Sequence, residues 1–213
     1  MISAPPTPRA AVFVDGQNLF HSVRAAFGYT FPNYDALALA DALCRARGWL
    51  VGSVNFYTGL PDKREQPEWT TFWAGKLSVM GRQGVRAFTR PLRYRIKAVA
   101  LADGSIRVAR VGEEKGIDVR IALDVLNGGY RREFDVAVII SQDQDLAEVA
   151  DDIRAIAREQ QRWIKIASAY PVSATSRNRR GIDKTDWIPI DRASYDLCID
   201  RRDYRIGAER TRG

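Results

Sequence analysis

The chain has 213 residues, 46% of them hydrophobic, and carries 33 lysines and arginines against 26 acids, a net charge of +7 with one histidine. That composition suits one globular domain with extensions, and the positive balance favours a polyanion or an anionic surface as partner. It excludes a membrane span, because no apolar stretch nears the ~20 residues required, and two cysteines, Cys44 and Cys198, exclude a disulfide framework.

Residues 1–9 hold three prolines and no apolar leader segment, so they read as a flexible N-terminus. With both cysteines read as core packing, the expected location is cytoplasmic. Ala10–Val14 is an uninterrupted apolar run, the mark of a parallel strand covered on both faces. A helix is expected from Asn18 to Phe27, and a second over Tyr34–Arg47, where Leu37, Ala40, Leu43 and Cys44 recur at helical spacing. Val51–Tyr57 is the second strand and Pro61–Pro67 a polar loop. Trp69–Met80 reads as a helix whose Trp69, Phe72, Trp73 and Leu77 form a core-facing stripe, its other face a candidate homodimer surface. Gly84–Thr89 is the third strand.

Leu92–Ala100 alternates, with Arg93, Arg95 and Lys97 on one face and Leu92, Tyr94 and Ile96 on the other. Asp103-Gly104 signals a two-residue turn, and Ser105–Val111 returns, which makes an inserted β-hairpin. Between Glu68 and Asp103 stand Lys76, Arg82, Arg86, Arg90, Arg93, Arg95 and Lys97 with no acid, a composition that points to a polyanion-binding arm. Ile117–Leu126 is a helix stopped by Asn127-Gly128-Gly129. Val136–Ile140 is a second fully apolar strand, followed by a helix over Leu146–Arg158 and a strand over Trp163–Ala167. Ser173–Thr185, with Arg177, Arg179, Arg180 and Lys184, is expected to be a mobile basic loop. Trp187–Ile190 is a sixth strand, Tyr195–Ile199 a short helix, and the tail after Arg205 is expected to be disordered. Strands alternating with helices give an α/β doubly wound sheet. One domain over 10–170 carries the basic loop and C-terminal extension, 171–213, packed on it.

Carboxylates follow this sheet's strands. Asp15 ends the first apolar run; Asp143 and Asp145 follow Val136–Ile140; Asp118 opens the helix after Lys115-Gly116. Open α/β sheets place their sites at the carboxyl ends of strands. Several carboxylates gathered there repel one another unless a cation joins them, and hard oxygen ligands select Mg²⁺ or Mn²⁺. No Cys/His zinc cluster, phosphate-binding Gly-Lys-Ser/Thr loop or Gly-x-Gly-x-x-Gly is present, and Asp15-Gly16-Gln17 lacks the second acid of an aspartyl phosphatase.

Three motifs carry a resemblance. Val14-Asp15-Gly16-Gln17-Asn18, Lys115-Gly116-Ile117-Asp118-Val119 and Ser141-Gln142-Asp143-Gln144-Asp145-Leu146 resemble, in order, the signatures of NYN domains in the PIN-like nuclease superfamily. The resemblance covers about Ala10 to Ala167. It implies a Rossmann-like parallel sheet and a Mg²⁺- or Mn²⁺-dependent ribonuclease that leaves a 3′-hydroxyl and a 5′-phosphate. The third motif departs from the common Ser-Gly-Asp-Gly-Asp-Phe: Gln142, Gln144 and Leu146 replace two glycines and a phenylalanine, while the acids remain.

Residue by residue, Asp15 is the first metal ligand, with Gly16 turning the chain sharply and Asn18 as helix cap or as a hold on Asp15 or a metal-bound water. Asp118 is a ligand at a helix start. Asp143 is a direct ligand, and Asp145 acts through water or as a cap. Ser141 bonds a ligand carboxylate or a phosphate, or merely satisfies its loop. Asp124 is either a ligand or an i+4 partner of Arg120. Glu113 and Glu114 read as solvated loop acids, and His21 as a structural or surface residue. Single-stranded RNA is the expected partner, its backbone followed by Arg93, Arg95, Lys97, Arg177, Arg179 and Arg180. The alternative is a nucleic-acid-binding module with a degenerate site.

Overall fold

The computed structural model describes residues 2–100, 104 and 106–204. The chain opens with β1 (Arg9–Asp15), whose residues from Ala10 on are all buried. Successive side chains of a strand point to opposite faces. Accordingly Ala10, Val12 and Val14 join one apolar cluster and Ala11 and Phe13 another. The same split divides β6 (Val136–Ile140), every residue of which is fully buried. These two strands are neighbours at the centre of a sheet ordered β3-β2-β1-β6-β7-β8. Here β2 is Leu50–Leu60, β3 Arg86–Pro91, β7 Lys165–Pro171 and β8 Asp186–Ile190. All five pairings are parallel.

Strand order runs outward from β1 in one direction and from β6 in the other, so the topology reverses between them. That leaves a crevice at their carboxyl ends. One face of the sheet carries α1 (Gly16–Phe27), α2 (Ala36–Arg45) and α3 (Pro67–Arg82), with Leu19, Leu39 and Phe72 in its core. The other carries α4 (Ile117–Tyr130) and α5 (Ala147–Glu159), with Ile121, Val125 and Ile153. The expected hairpin is present as β4 (Arg93–Ala100) and β5 (Ile106–Glu113), a separate antiparallel pair from Arg93↔Glu113 to Ala100↔Ile106. Gly104 has a φ of +83°, whereas Asp103, its expected turn partner, and the tail after Arg205 lie outside the described residues. Residues expected as a C-terminal extension supply β8 and α6 (Arg192–Asp196) to the same fold. Among the described residues no helix is long and apolar enough to cross a membrane.

Several boundaries differ from the sequence reading for local reasons. Helix α1 begins at Gly16 because Asp15, not Asn18, is its cap. Tyr34 precedes α2, whose cap is Asp35, and its buried ring packs against Phe56 instead. The last short helix starts at Arg192 on the Asp191 cap rather than at Tyr195.

Helix α4 does not stop at Asn127-Gly128-Gly129 but continues through it to Tyr130. The glycines there serve close packing rather than termination: a Cβ on Gly128 would lie 2.8 Å from Cε1 of Phe134. That ring is itself buried and meets Phe13 edge-on, at 6.1 Å between centroids. Gly128→Ala should therefore destabilise the protein by about 1–3 kcal/mol through overpacking, although alanine is the better helix former. A lower midpoint in urea at unchanged slope is the expected observation; an unchanged or higher midpoint would refute this account.

Lys76, read above as part of the cationic arm, is only 1% exposed. Its Nζ donates to the Tyr34 carbonyl at 2.7 Å, lies 3.7 Å from the Asp200 carboxylate and faces the Tyr34 and Tyr204 rings. Burial pushes its ammonium down to about 8, opposed by the attraction of Asp200 and Asp35. Lys76 thus fastens the C-terminal segment to the core and is not available to a polyanion.

Candidate active site

Asp15 occupies the end of β1 and is 5% exposed. Its Oδ1 accepts from the Asn18 backbone N–H at 3.0 Å, and its Oδ2 accepts from the Ser141 hydroxyl at 3.2 Å. Capping and carboxylate presentation are therefore performed by the same side chain, one oxygen each. Gly16 allows this by its size. A Cβ there would lie 2.5 Å from the Phe56 ring and 2.9 Å from the Tyr57 carbonyl. Ser141, at the end of β6, also accepts from the Asp143 N–H at 3.1 Å. Asn18 extends the link: its Oδ1 accepts from the Gln142 N–H at 2.9 Å. The ends of the two central strands are thus stitched together through Asp15, Asn18 and Ser141.

These residues open onto a cleft of about 790 Å³ whose walls include Asp15, Asn18, Glu114, Asp118 and Asp143. Asp118 lies in the first turn of α4, behind Gly116, which takes a left-handed φ of +73° as the helix cap. Asp143 caps the short 3₁₀ turn Gln144–Leu146, accepting from the Asp145 N–H at 3.1 Å. Asp145 itself is exposed on that turn and does not line the cleft. Asp124 takes the other course left open for it. It pairs with Arg120 at 2.8 Å and accepts from the Tyr57 hydroxyl at 2.9 Å, in a separate groove on the sheet face.

Glu114 corrects the sequence reading. It is not a solvated loop acid: its carboxylate accepts from the Gly59 N–H and from Thr58 Oγ1 at 3.4 Å, at the end of β2. Burial pushes it up to about 7, and the repulsion of Asp15 and Asp118 adds to that against the Gly59 and Thr58 hydrogen bonds. Asp15 behaves alike. Burial raises it from 3.8 to about 6, the Asn18 and Ser141 bonds oppose, and the charges of Asp143 and Asp118 raise it further. The one sequence signal for Glu114 was Gly59, a glycine at a strand's carboxyl end. A Cβ there would lie 2.6 Å from Glu114 Cγ. His21 lines the same cleft, and burial followed by Arg24 holds its imidazole below the usual range.

Beside Glu113, which is paired with Arg95 and Lys97, the four carboxylates Asp15, Glu114, Asp118 and Asp143 line the cleft, and two of them hold protons more tightly than usual, which is the donor chemistry of a site for a hard divalent cation. Among the described residues no three acid, histidine or cysteine side chains stand close enough to enclose an ion as placed. A bound cation would take the place of the protons that relieve their repulsion.

The structure also sorts the six expected RNA-contacting cations. Arg95 and Lys97 both pair with Glu113 across the hairpin. Arg179 braces its own loop through the Ser176 and Ala174 carbonyls, and Arg180 pairs with Asp183 at 2.7 Å. Arg177 lines a groove beside the cleft. Arg93 begins the hairpin, opposite Glu113.

A Vibrio parahaemolyticus protein of unknown function has a crystal structure that matches this one with a TM-score of 0.53 and 19% identity, over 91% of this chain and 99% of that one. MurG of Acinetobacter baumannii matches with a TM-score of 0.32 and 11% identity, over 85% of this chain and 45% of its own. No curated protein matches the chain. The former likeness supports the fold alone. The NYN domain family matches residues 9–180, the span that holds every cleft residue named above. This chain is accordingly a member of the NYN domain family, within the PIN-like nuclease superfamily.

Proposed function

We propose that this protein is a divalent-metal-dependent ribonuclease that hydrolyses phosphodiester bonds of single-stranded RNA. The observation that carries the reading is the convergence of Asp15, Glu114, Asp118 and Asp143 on one cleft, with Asp15 raised to about 6 and Glu114 to about 7. Asp15, Asp118, Asp143 and Glu114 would hold Mg²⁺ or Mn²⁺, with Asp145 at most an outer contact. When bound, the cation supplies a water of lowered pKa and stabilises charge on the phosphoryl and leaving oxygens. The chain's own residues do the positioning. Asn18 and Ser141 fix the two Asp15 oxygens, so the carboxylate cannot swing away. Gly59 and Thr58 do the same for Glu114. Lys115 stands at the cleft, where its ammonium can offset phosphate charge. The family resemblance gives the products as a 5′-phosphate and a 3′-hydroxyl.

A nucleic-acid-binding module without activity is the second reading, favoured by the two glutamines in the third motif and by carboxylates not closed around an ion. One experiment separates them. Wild type and Asp143→Asn are incubated with single-stranded RNA under Mn²⁺, Mg²⁺ or EDTA. The expected result is cleavage that needs metal and falls at least ~100-fold in the variant, the usual cost of one preorganised charge-stabilising group. Intact RNA in every lane, with a gel shift retained, would establish the binding module instead.

A further inference from the structure

The segment between β7 and β8 lacks regular structure yet is pinned in place. Gln142 Nε2 donates to the Arg180 carbonyl at 2.7 Å. Gln144 donates to the Gly181 carbonyl at 3.0 Å and accepts from the Asp183 N–H at 3.1 Å. Next to these bonds Ile182 is fully buried, and its N–H donates to Ser168 Oγ at 2.9 Å. The expectation of a mobile loop over Ser173–Thr185 is not met by this anchoring. The two residues that replace the motif's glycines, one on each side of Asp143, share this anchoring with Ser168, with Tyr170, whose hydroxyl donates to the Arg179 carbonyl at 3.0 Å, and with Arg154, which donates to the Lys184 carbonyl.

What the anchor holds up is the outer wall of a groove of about 510 Å³. Its wall presents Thr175, Ser176, Arg177 and Asn178, facing Ser22 on α1. Asn18 and His21 line both this groove and the carboxylate cleft, so the two are continuous. Among the described residues no acid lines the groove. The cleft thus gathers carboxylates, whereas among the described residues the groove offers neutral donors and acceptors and the guanidinium of Arg177. That is the chemistry of a nucleobase edge and one phosphate, which single-stranded RNA leaves exposed.

We propose that this groove is a subsite for one nucleotide of single-stranded RNA adjoining the reacting phosphate, and that Gln142 and Gln144 are positioning residues that hold its wall. The assignment of the adjoining phosphate as the reacting one rests on the ribonuclease reading. The subsite itself is tested without catalysis. Binding of a fluorescein-labelled RNA hexamer is measured by anisotropy in EDTA for wild type, Arg177→Ala/Asn178→Ala and Gln142→Leu/Gln144→Leu. Limited trypsin digestion of the second variant is followed at Arg177, Arg179 and Arg180. Both variants should bind at least ~10-fold more weakly, and the glutamine variant should be cut within the loop at least ~10-fold faster. With cleavage measured under Mn²⁺, both variants should raise KM more than they lower kcat. Wild-type affinity in the Arg177/Asn178 variant overturns the subsite, and wild-type trypsin resistance overturns the role given to the glutamines. Failure of the wild type to cleave any RNA, with the affinity losses still seen, overturns the ribonuclease reading and leaves the subsite standing.

Discussion

Asp15→Asn is expected to remove cleavage by about 10³-fold, the upper end of what loss of one preorganised group costs, while making the metal-free protein more stable at neutral pH. The two effects have one cause. In the folded protein the Asp15 carboxyl is raised from 3.8 to about 6 by burial and by its acidic neighbours. A carboxyl that binds its proton more tightly folded than unfolded stabilises the fold below pH ~4, and this contribution is lost as pH rises through about 6. The loss at pH 7.5 is about 3 kcal/mol at ~1.4 kcal/mol per pH unit, a melting shift on the order of 8 °C for a chain of this size. Asparagine keeps an oxygen for the Asn18 N–H and can donate to Ser141 Oγ, so it preserves the cap without the charge. Melting curves in EDTA should coincide near pH 4 and separate progressively to pH 7.5, with the variant higher. A variant that melts below wild type at pH 7.5, or that cleaves RNA normally, would contradict this role.

Glu114→Gln is expected to weaken Mn²⁺ binding by about 10–100-fold and to flatten its pH dependence. A metal must displace protons from its ligands, so affinity climbs with pH until they are ionised. With Asp15 at about 6 and Glu114 at about 7, wild-type affinity should climb between pH 5.5 and 7.5. In the variant the Asp15 step remains and the later one disappears. Glutamine retains an acceptor for the Gly59 N–H, so the end of β2 keeps its shape. Isothermal titration with Mn²⁺ across this range reads both quantities. Equal affinity and equal slope in the two proteins would remove Glu114 from the site.

The fold was largely legible in the sequence because its central strands have little choice. Ala10–Val14 and Val136–Ile140 carry no polar residue, so both must be covered on two faces, and acids placed directly after them must meet at the sheet's end. What escaped notice depends on contacts between distant segments. Glu114 is half-buried because Thr58 and Gly59, 56 and 55 residues away, close over it. Lys76 looks like a surface cation until Asp200 and Tyr204 are laid upon it. Gly128 resembles a helix stop unless Phe134 is known to need the space. For Asp15 the sequence allows ligand or cap, and the structure uses its two oxygens for separate hydrogen bonds.

The family match ends at residue 180, but the protein's cooperative structure does not. Beyond that point β8 pairs along β7, the Cys198 carbonyl accepts from the Asp35 N–H at 2.8 Å, and Asp200 accompanies the buried ammonium of Lys76. A fragment cut at the limit of similarity would leave β7, buried from Ile166 to Pro171, as a bare apolar edge open to pairing with other chains. It would also strip the lysine of its carboxylate. For this protein the stretch shared by descent is shorter than the stretch that must fold together, and a soluble fragment has to be designed on the second.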